Sequence, residues 1–556
     1  MRATLLLFGS LLAAPLVAQL PTYGWTRSLG TLNGLNVVKA GPNGRLHAYG
    51  TFNGNHDLDL GPDQLIVSES GSSYGAFVCT AEADGTLAWA IALASSTNVN
   101  ATGLHVSPDG SLLAQGNFRG ILDADPSASG ELFLSAGSSF DQYIGRYSTD
   151  GDLIWAVSFG NNNDLTIGVS ALDGSGNVYL VLSPSGTLDV DPGPGTVNYG
   201  PNPTGERILI KLGPDGSFQW VRRIGQVNVK HLLVPNTGGI IAIGEFGNEQ
   251  LIGTAPNAIT ISGNASLTDV FVIRFDPQGY PVQGVSFGGQ GTDLVMGAAL
   301  GPDGAVNMAG EFTGTTDLDP GPGTASFTAV GYDGYAVKLN ADLEMVWGHA
   351  WDVDMVALAL DGYGDLYLTG ALSTSPTDLD PGPGVALLQS NISFNAFHLK
   401  LNGADGSFMH AFPASDGTVG HLNVSAIELS ENGAILSVGA FRASTDMNPL
   451  GGDDILTVQV ELNEERYIRR FEQAIGLGMP LAETPTMRLY PLPCEDALTV
   501  ELPGGETAAY AIRDLQGRAL RIGRLKPGPT IILVEALASG TYLLEVDGRA
   551  KRFIKR

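Results

Sequence analysis

Only two cysteines occur in 556 residues, Cys79 and Cys494, and the reading below puts them in different domains. That excludes a disulfide framework and a cysteine-ligated metal centre, so stability must come from packing. Basic residues are also scarce, with 29 Lys and Arg against 57 Asp and Glu, a formal charge of −28. Such a surface repels nucleic acid and anionic membranes, which removes both as partners. Beyond the first eighteen residues no apolar run approaches the roughly 20 residues that span a bilayer. The mature chain therefore has no transmembrane segment.

What the chain does have is 75 Gly and 31 Pro within a 43% hydrophobic composition. Many short elements joined by turns, hence an all-β protein, follow from this. The opening M-R-A-T-L-L-L-F-G-S-L-L-A-A-P-L-V-A-Q places one positive charge before a short apolar run and a small residue, Ala18. This is a signal-peptide pattern over residues 1–18, with the mature chain beginning at Gln19.

Trp89, Trp155 and Trp220 lie 66 and 65 residues apart in similar segments, and the series continues through Gln283, Trp347 and Phe408 at 63, 64 and 61. A period this regular is architecture. Each period holds four short runs rich in β-branched and aromatic residues, separated by Gly, Asp and Pro, which is the pattern of a propeller blade. Third strands are expected near Val78, Ile144, Ile210, Val272, Val337, Leu399 and Val458, giving seven blades over residues 19–475. Tyr23–Gly30 matches a fourth strand without predecessors and is expected to complete the last blade, with Arg466–Phe471 as a competitor for that edge. Gly50, Gly116, Gly244, Gly310 and Gly439, each two residues before a Phe, suit a bulge or close approach.

Between second and third strands recurs D-x-D-P-G-P-G, intact from Asp189, Asp317 and Asp378 and degenerate from Asp57, Asp123 and Asp446; the fourth blade lacks it. Pro and Gly with capping Asp side chains make a sharp turn. Carboxylates at i and i+2 also begin calcium loops. The candidate calcium ligands are Asp57, Asp59, Asp123, Asp125, Asp189, Asp191, Asp317, Asp319, Asp378 and Asp380. The further acidic ligands of a complete loop are missing, so any Ca²⁺ site would be weak, and no cofactor is required. With G-N-V-Y at Gly176–Tyr179 and A-V-K-L at Ala336–Leu339, the array resembles the secreted β-propeller repeat family, whose shared motifs are structural.

After a linker at 476–486 the character changes. From Met487 to Arg556 there are 11 Lys and Arg against 8 Asp and Glu, a net of +3, leaving −31 for the rest. L-Y-P-L-P at Leu489, I-R-D-L-Q-G-R-A-L to Leu520, L-A-S-G-T-Y-L-L-E-V and the basic K-R-F-I-K-R follow in order, and alternating strands imply a small β-sandwich, Ig-like. This segment resembles the type A C-terminal sorting domain of the type IX secretion system, with Leu492 where that family usually has Asn. The resemblance implies an outer-membrane translocon and sorting machinery as partners through residues 487–556, and a secreted or cell-surface protein of a Gram-negative bacterium that passes through the periplasm.

No H-E-x-x-H, G-x-S-x-G or phosphate-binding loop occurs, and the eight His form no ligand spacing; His349 and His410 read as equivalent repeat positions. The expectation is a non-catalytic propeller that binds an extracellular glycan or protein through one face. The alternatives are a structural surface or matrix component and, through paired carboxylates, a glycan-active enzyme.

Overall fold

The computed structural model describes residues 20–59, 65–68, 74–125, 127, 130–137, 139–160, 165, 168–202, 205–263, 267–372, 376–390, 395–415, 421–451, 453–458, 464–473, 488–490, 497–501, 508–513, 519–526, 530–535, 537–538, 540–546 and 549–556. The signal peptide, the linker, Cys494 and the L-Y-P-L-P turn beyond Tyr490 lie outside them. The chain divides into two compact units, Met1–Ala474 and Ile475–Arg556.

In the first unit the described residues form seven four-stranded antiparallel sets. Blade 1 runs Gly34–Ala40, Leu46–Phe52, Gly75–Ala81 and Leu87–Leu93, and the period repeats through blade 6, Asp354–Leu360 to Phe408–Pro413. Blade 7 combines Leu422–Leu429, Ile435–Phe441 and Glu465–Glu472 with Thr22–Gly30 from the other end of the chain. Each first strand neighbours the first strand of the next blade, and blade 7 neighbours blade 1, so the ring closes as a β-propeller. Hydrophobic clusters sit between blades. One joins Leu436, Val438 and Ile468 of blade 7 to Leu35, Val38 and Phe77 of blade 1, and another joins Tyr49 and Val78 to Leu104 and Tyr143 of blade 2.

The expected closure is present, with Trp25 opposite Arg470. The third strand of blade 7, however, is Glu465–Glu472 and not a strand near Val458. Val458 follows a short ribbon strand, Ile455–Thr457, and Arg466–Phe471 is the third strand itself instead of a rival fourth. The reason is burial: the run is buried continuously from Tyr467 to Phe471, as a strand covered on both faces must be, with Arg469 donating to the Ala414 carbonyl and lying 4.6 Å from the Phe471 ring.

The tryptophan series is an inter-blade fastening. Trp25, Trp89 and Trp155 donate their indole N–H to Ala83, Thr149 and Pro214 carbonyls in the following blade, at 3.0, 2.8 and 2.9 Å. Each ring covers a turn glycine of that blade, Gly85, Gly151 or Gly216, where φ is 85°, 90° or 80° and an added Cβ would lie 3.0 Å from the indole. In blade 4 the indole is replaced by Gln283, whose amide still donates to the next turn, to the Asp342 carbonyl at 2.7 Å. There the glycine is replaced too, by Leu343 at φ 62°, buried to 2%. The smaller side chain leaves room for the larger neighbour.

The sixth member of the series is His410, not Phe408. Strand register puts His410 opposite Lys400, as Trp347 is opposite Lys338, because the turn Asn402–Ser407 has one residue more than its counterpart Asn340–Glu344. His349 faces Ala336 and is therefore not the equivalent of His410. His410 has no turn to fasten, since the fourth strand of blade 7 comes from the N-terminus.

An exchange experiment follows. Gln283→Trp alone drives an indole into Leu343 and is expected to cost about 1–3 kcal/mol by overpacking. Gln283→Trp with Leu343→Gly restores the pairing of the other blades, so denaturant titration should show a favourable coupling of at least about 1 kcal/mol. Simple additivity of the two substitutions would show that the fastening does not operate as a pair.

The second unit is a sandwich of a three-stranded sheet, Arg488–Tyr490, Ala497–Glu501 and Thr530–Leu533, and a four-stranded one, Ala519–Leu525, Ala508–Arg513, Gly540–Val546 and Arg549–Lys555. Leu498, Val500, Ile512, Leu525, Ile532, Leu544 and Val546 fill a core of its own. Among the described residues no helix is long and apolar enough to cross a membrane.

Candidate binding face

Antiparallel blades put the first-to-second and third-to-fourth turns on one face of the ring, and the second-to-third ribbons and blade-to-blade connections on the other. The first-to-second turns of the first face are uniform. All seven first turns have a glycine at positive φ in the same place, Gly44, Gly110, Gly176, Gly238, Gly304, Gly364 and Gly433. Hydrogen bonds from Thr86, Ser111, Ser217 and Ser407 hold the turn carboxylates Asp84, Asp109, Asp215 and Asp405 below the usual range. Side chains committed to their own turns have little left for a ligand.

The repeated D-x-D loops lie on the opposite side, and each first aspartate braces its own turn. Oδ1 of Asp317 accepts from the backbone N–H of Asp319 at 3.1 Å and of Ala325 at 2.8 Å. Asp378, Asp189, Asp57 and Asp123 repeat this with the residues two on and eight or nine on. The second aspartates Asp125, Asp191, Asp319 and Asp380 each accept from the N–H two residues later, whereas Asp59 shows its own N–H bonded back to Asp57. The residue between the two acids is an apolar plug: Leu58, Ala124, Val190, Leu318, Leu379 and Met447 are all 0% exposed. Leu318 packs with Phe287 of the preceding blade and Leu379 with Trp351, so the loop staples neighbouring blades.

Among the described residues no three or more His, Cys, Asp or Glu side chains converge in a metal-binding arrangement. Replacing Asp317 by Ala removes the acceptor of two turn N–H groups and should cost about 1–2 kcal/mol. The melting temperature of Asp317→Ala is expected to fall by the same amount with and without millimolar Ca²⁺. A calcium-dependent rise in the parent that this substitution abolishes would instead put a cation on the loop.

Variation gathers at two registers of this second face. The third-strand residue at the level of the second-strand aromatic is Gly75, Asp141, Glu206, Asp269, Asp333, Asn395 and Glu465 in blades 1 to 7. The residue before the second-strand aromatic is Thr51, Asn117, Glu245 or Glu311. Burial pushes Asp141 and Asp293 up to about 6. Burial also raises Glu311, Asp333 and Asp354, each further raised by a neighbouring acid, Asp354, Asp352 and Asp352 respectively. Carboxylates below their usual range on one face and above it on the other reflect turn bonding against desolvation. None of these residues stands out in the sequence by motif. The signal that finds them is departure from the repeat at a fixed register.

Between blades 3 and 4 this face opens into a pocket of about 400 Å³ lined by Arg207, Gln226, Asn228, Glu245, Phe246 and Thr268 among others. Glu245, 6% exposed, accepts from the Asn228 amide at 3.2 Å and pairs with Lys230 at 3.3 Å. Arg207 donates through Nη1 to Ser183 Oγ at 2.5 Å and to the Gly205 carbonyl at 3.0 Å. Burial lowers its pKa, and the neighbouring Glu206 is engaged with Arg223 at 2.6 Å.

At the other end of the chain, residues 488–556 match the family described as "Secretion system C-terminal sorting domain". The tail carries the sorting signal of type IX secretion. The protein is exported to the cell surface or the medium of a Gram-negative bacterium. No curated protein matches the chain. Among solved structures it is similar to a puromycin hydrolase complexed with PGG, at 12% identity over 86% of this chain and 61% of that one, with a TM-score of 0.38. It is also similar to the Dos1 propeller, at 7% identity over 81% and 94%, with a TM-score of 0.36. A third is PorZ, an essential bacterial surface component of the type-IX secretion system of Porphyromonas gingivalis, at 12% identity over 94% and 81%, with a TM-score of 0.22. These likenesses are loose, and the fold stands on the strand pairings above.

Proposed function

We propose that the protein is a non-catalytic binding propeller delivered outside the cell by its sorting domain, and that it recognises an extracellular glycan or protein through the face bearing the blade-to-blade connections. One observation carries this reading. Polar and charged side chains change from blade to blade at two registers of that face, while the first-to-second turns opposite keep the same positive-φ glycine seven times over. A structural matrix component has no reason to vary on one side only, and repeat proteins commonly use one face for binding. The partly desolvated acids there would meet a partner with charge already raised in energy, which favours donors that hydrogen-bond to them.

The test uses the full mature chain and cell envelopes or extracellular polymer from the producing bacterium. Glu311→Lys with Asp354→Lys should abolish retention without lowering the melting temperature, because each acid repels its neighbour. Asp84→Lys with Asp215→Lys, on the turn face, should leave retention intact. Equal loss from both pairs would show that net charge alone governs binding and would remove the reading.

A further inference from the structure

We propose that the pocket between blades 3 and 4 binds a small, hydroxyl-bearing ligand through its carboxylate, with Arg207 as the anchoring group. The proposal deepens the binding reading above and rests on it. Three observations converge on this residue.

The first is register. The residues at the register of Arg207 in the other blades are Ala76, Gln142, Val270, Gly334, Ala396 and Arg466, and Arg466, the other cation among them, lies 3.8 Å from the Glu464 carboxylate. Arg207 thus stands as a cation without a carboxylate partner among the described residues, on a domain whose charge is strongly negative and in the blade adjoining the one that has lost the D-x-D loop. The second is hydrogen bonding. Nη1 of Arg207 is held by Ser183 and Gly205, which fixes the plane of the guanidinium, while Nε and Nη2 have no hydrogen-bond partner among the described residues. Among the described residues no carboxylate pairs with Arg207: Glu206 is bonded in a two-pronged contact with Arg223, at 2.6 Å through both oxygens, and Glu245 is paired with Lys230. An oriented guanidinium with its Nε–Nη2 edge open matches the two oxygens of a carboxylate.

The third observation is the cavity itself. About 400 Å³ lies within the range of small-molecule sites. Phe246, 4% exposed, supplies an apolar wall, and Gln226, Asn228 and Thr268 bring amide and hydroxyl groups to the lining. The Lys230 partner offsets the charge of Glu245, so the positive charge of Arg207 dominates locally. A uronic acid combines the required carboxylate with hydroxyls for these groups.

The experiment titrates the full mature chain with glucuronate and galacturonate, using glucose and inorganic phosphate as comparisons, and follows binding by saturation-transfer NMR and calorimetry. One uronate should bind saturably while glucose does not, and Arg207→Gln should weaken it at least about tenfold. Arg207→Lys, which keeps the charge and loses the two-pronged edge, should also weaken it. Asp319→Ala, in the D-x-D loop of blade 5, should not. Unchanged melting temperatures would show that the Arg207 variants fold. Binding of glucose as tight as that of a uronate, tighter binding of phosphate, or uronate binding that survives Arg207→Gln would each overturn the proposal. If no uronate binds but Glu311→Lys with Asp354→Lys still abolishes envelope retention, the pocket assignment fails while the binding face stands.

Discussion

A chain shortened by removal of Met487–Arg556 is expected to fold its propeller and accumulate in the periplasm. The folding half of this expectation follows from the cores. Among the described residues the sandwich core lies within residues 498–546 and the clusters between blades draw on residues before 472, so each unit has a core of its own. Units with separate cores fold separately. The export half follows from the sorting family matched over residues 488–556. Cell fractionation with immunoblotting should show the full chain outside the cell and nearly all of the shortened chain inside, with the same melting temperature for the propeller. Export of the shortened chain at the full-length level would mean that the tail is a structural or binding module.

The second large effect concerns the ring. Deleting Thr22–Gly30 removes the fourth strand of blade 7, and with it the antiparallel ladder to Glu465–Glu472. It also removes buried Leu29, the indole of Trp25 over Gly85, the edge contact of Tyr23 with Phe471 at 5.9 Å, and the Ser28 hydroxyl on the buried Glu465 at 2.8 Å. Each Leu- or Trp-sized contact contributes about 2–3 kcal/mol, against a total stability of about 5–15 kcal/mol for a folded domain. The truncated chain should therefore expose an unpaired strand edge and aggregate. A synthetic peptide covering residues 20–32, added in excess, should restore solubility by mass action on the folded ring. A soluble truncated protein with an unchanged melting temperature would show that closure by the N-terminal strand contributes little.

Much of this architecture is legible in the chain because a repeat states the same instruction seven times. The period, the strand types, the orphan fourth strand at Tyr23 and the all-β tail follow from residues alone, since patterning at period two and turn residues are local properties. What misleads is local as well. Choosing the aromatic Phe408 as the sixth member of the series misses by two residues: G-S-F-M-H at Gly406–His410 matches G-S-F-Q-W at Gly216–Trp220, and strand pairing confirms that His410 holds the tryptophan position. Near Val458 a ribbon resembles the expected third strand, while the true strand carries two buried arginines, Arg469 and Arg470, that composition alone would place on the surface. The D-x-D loops announce themselves as candidate sites, and the structure adds what the sequence does not show, that the first aspartate of each accepts from a backbone N–H eight or nine residues away. Conversely, Arg207 and Glu245 belong to no motif. They become visible only when the folded blades bring them to the lining of one pocket.

The most direct test of the account joins residues 487–556 to an unrelated folded periplasmic reporter in a host that has the type IX machinery. The account predicts that the fusion reaches the surface or the medium, and that the same reporter joined to residues 19–475 stays in the periplasm. A tail fusion that remains in the periplasm while the propeller fusion leaves the cell would contradict it.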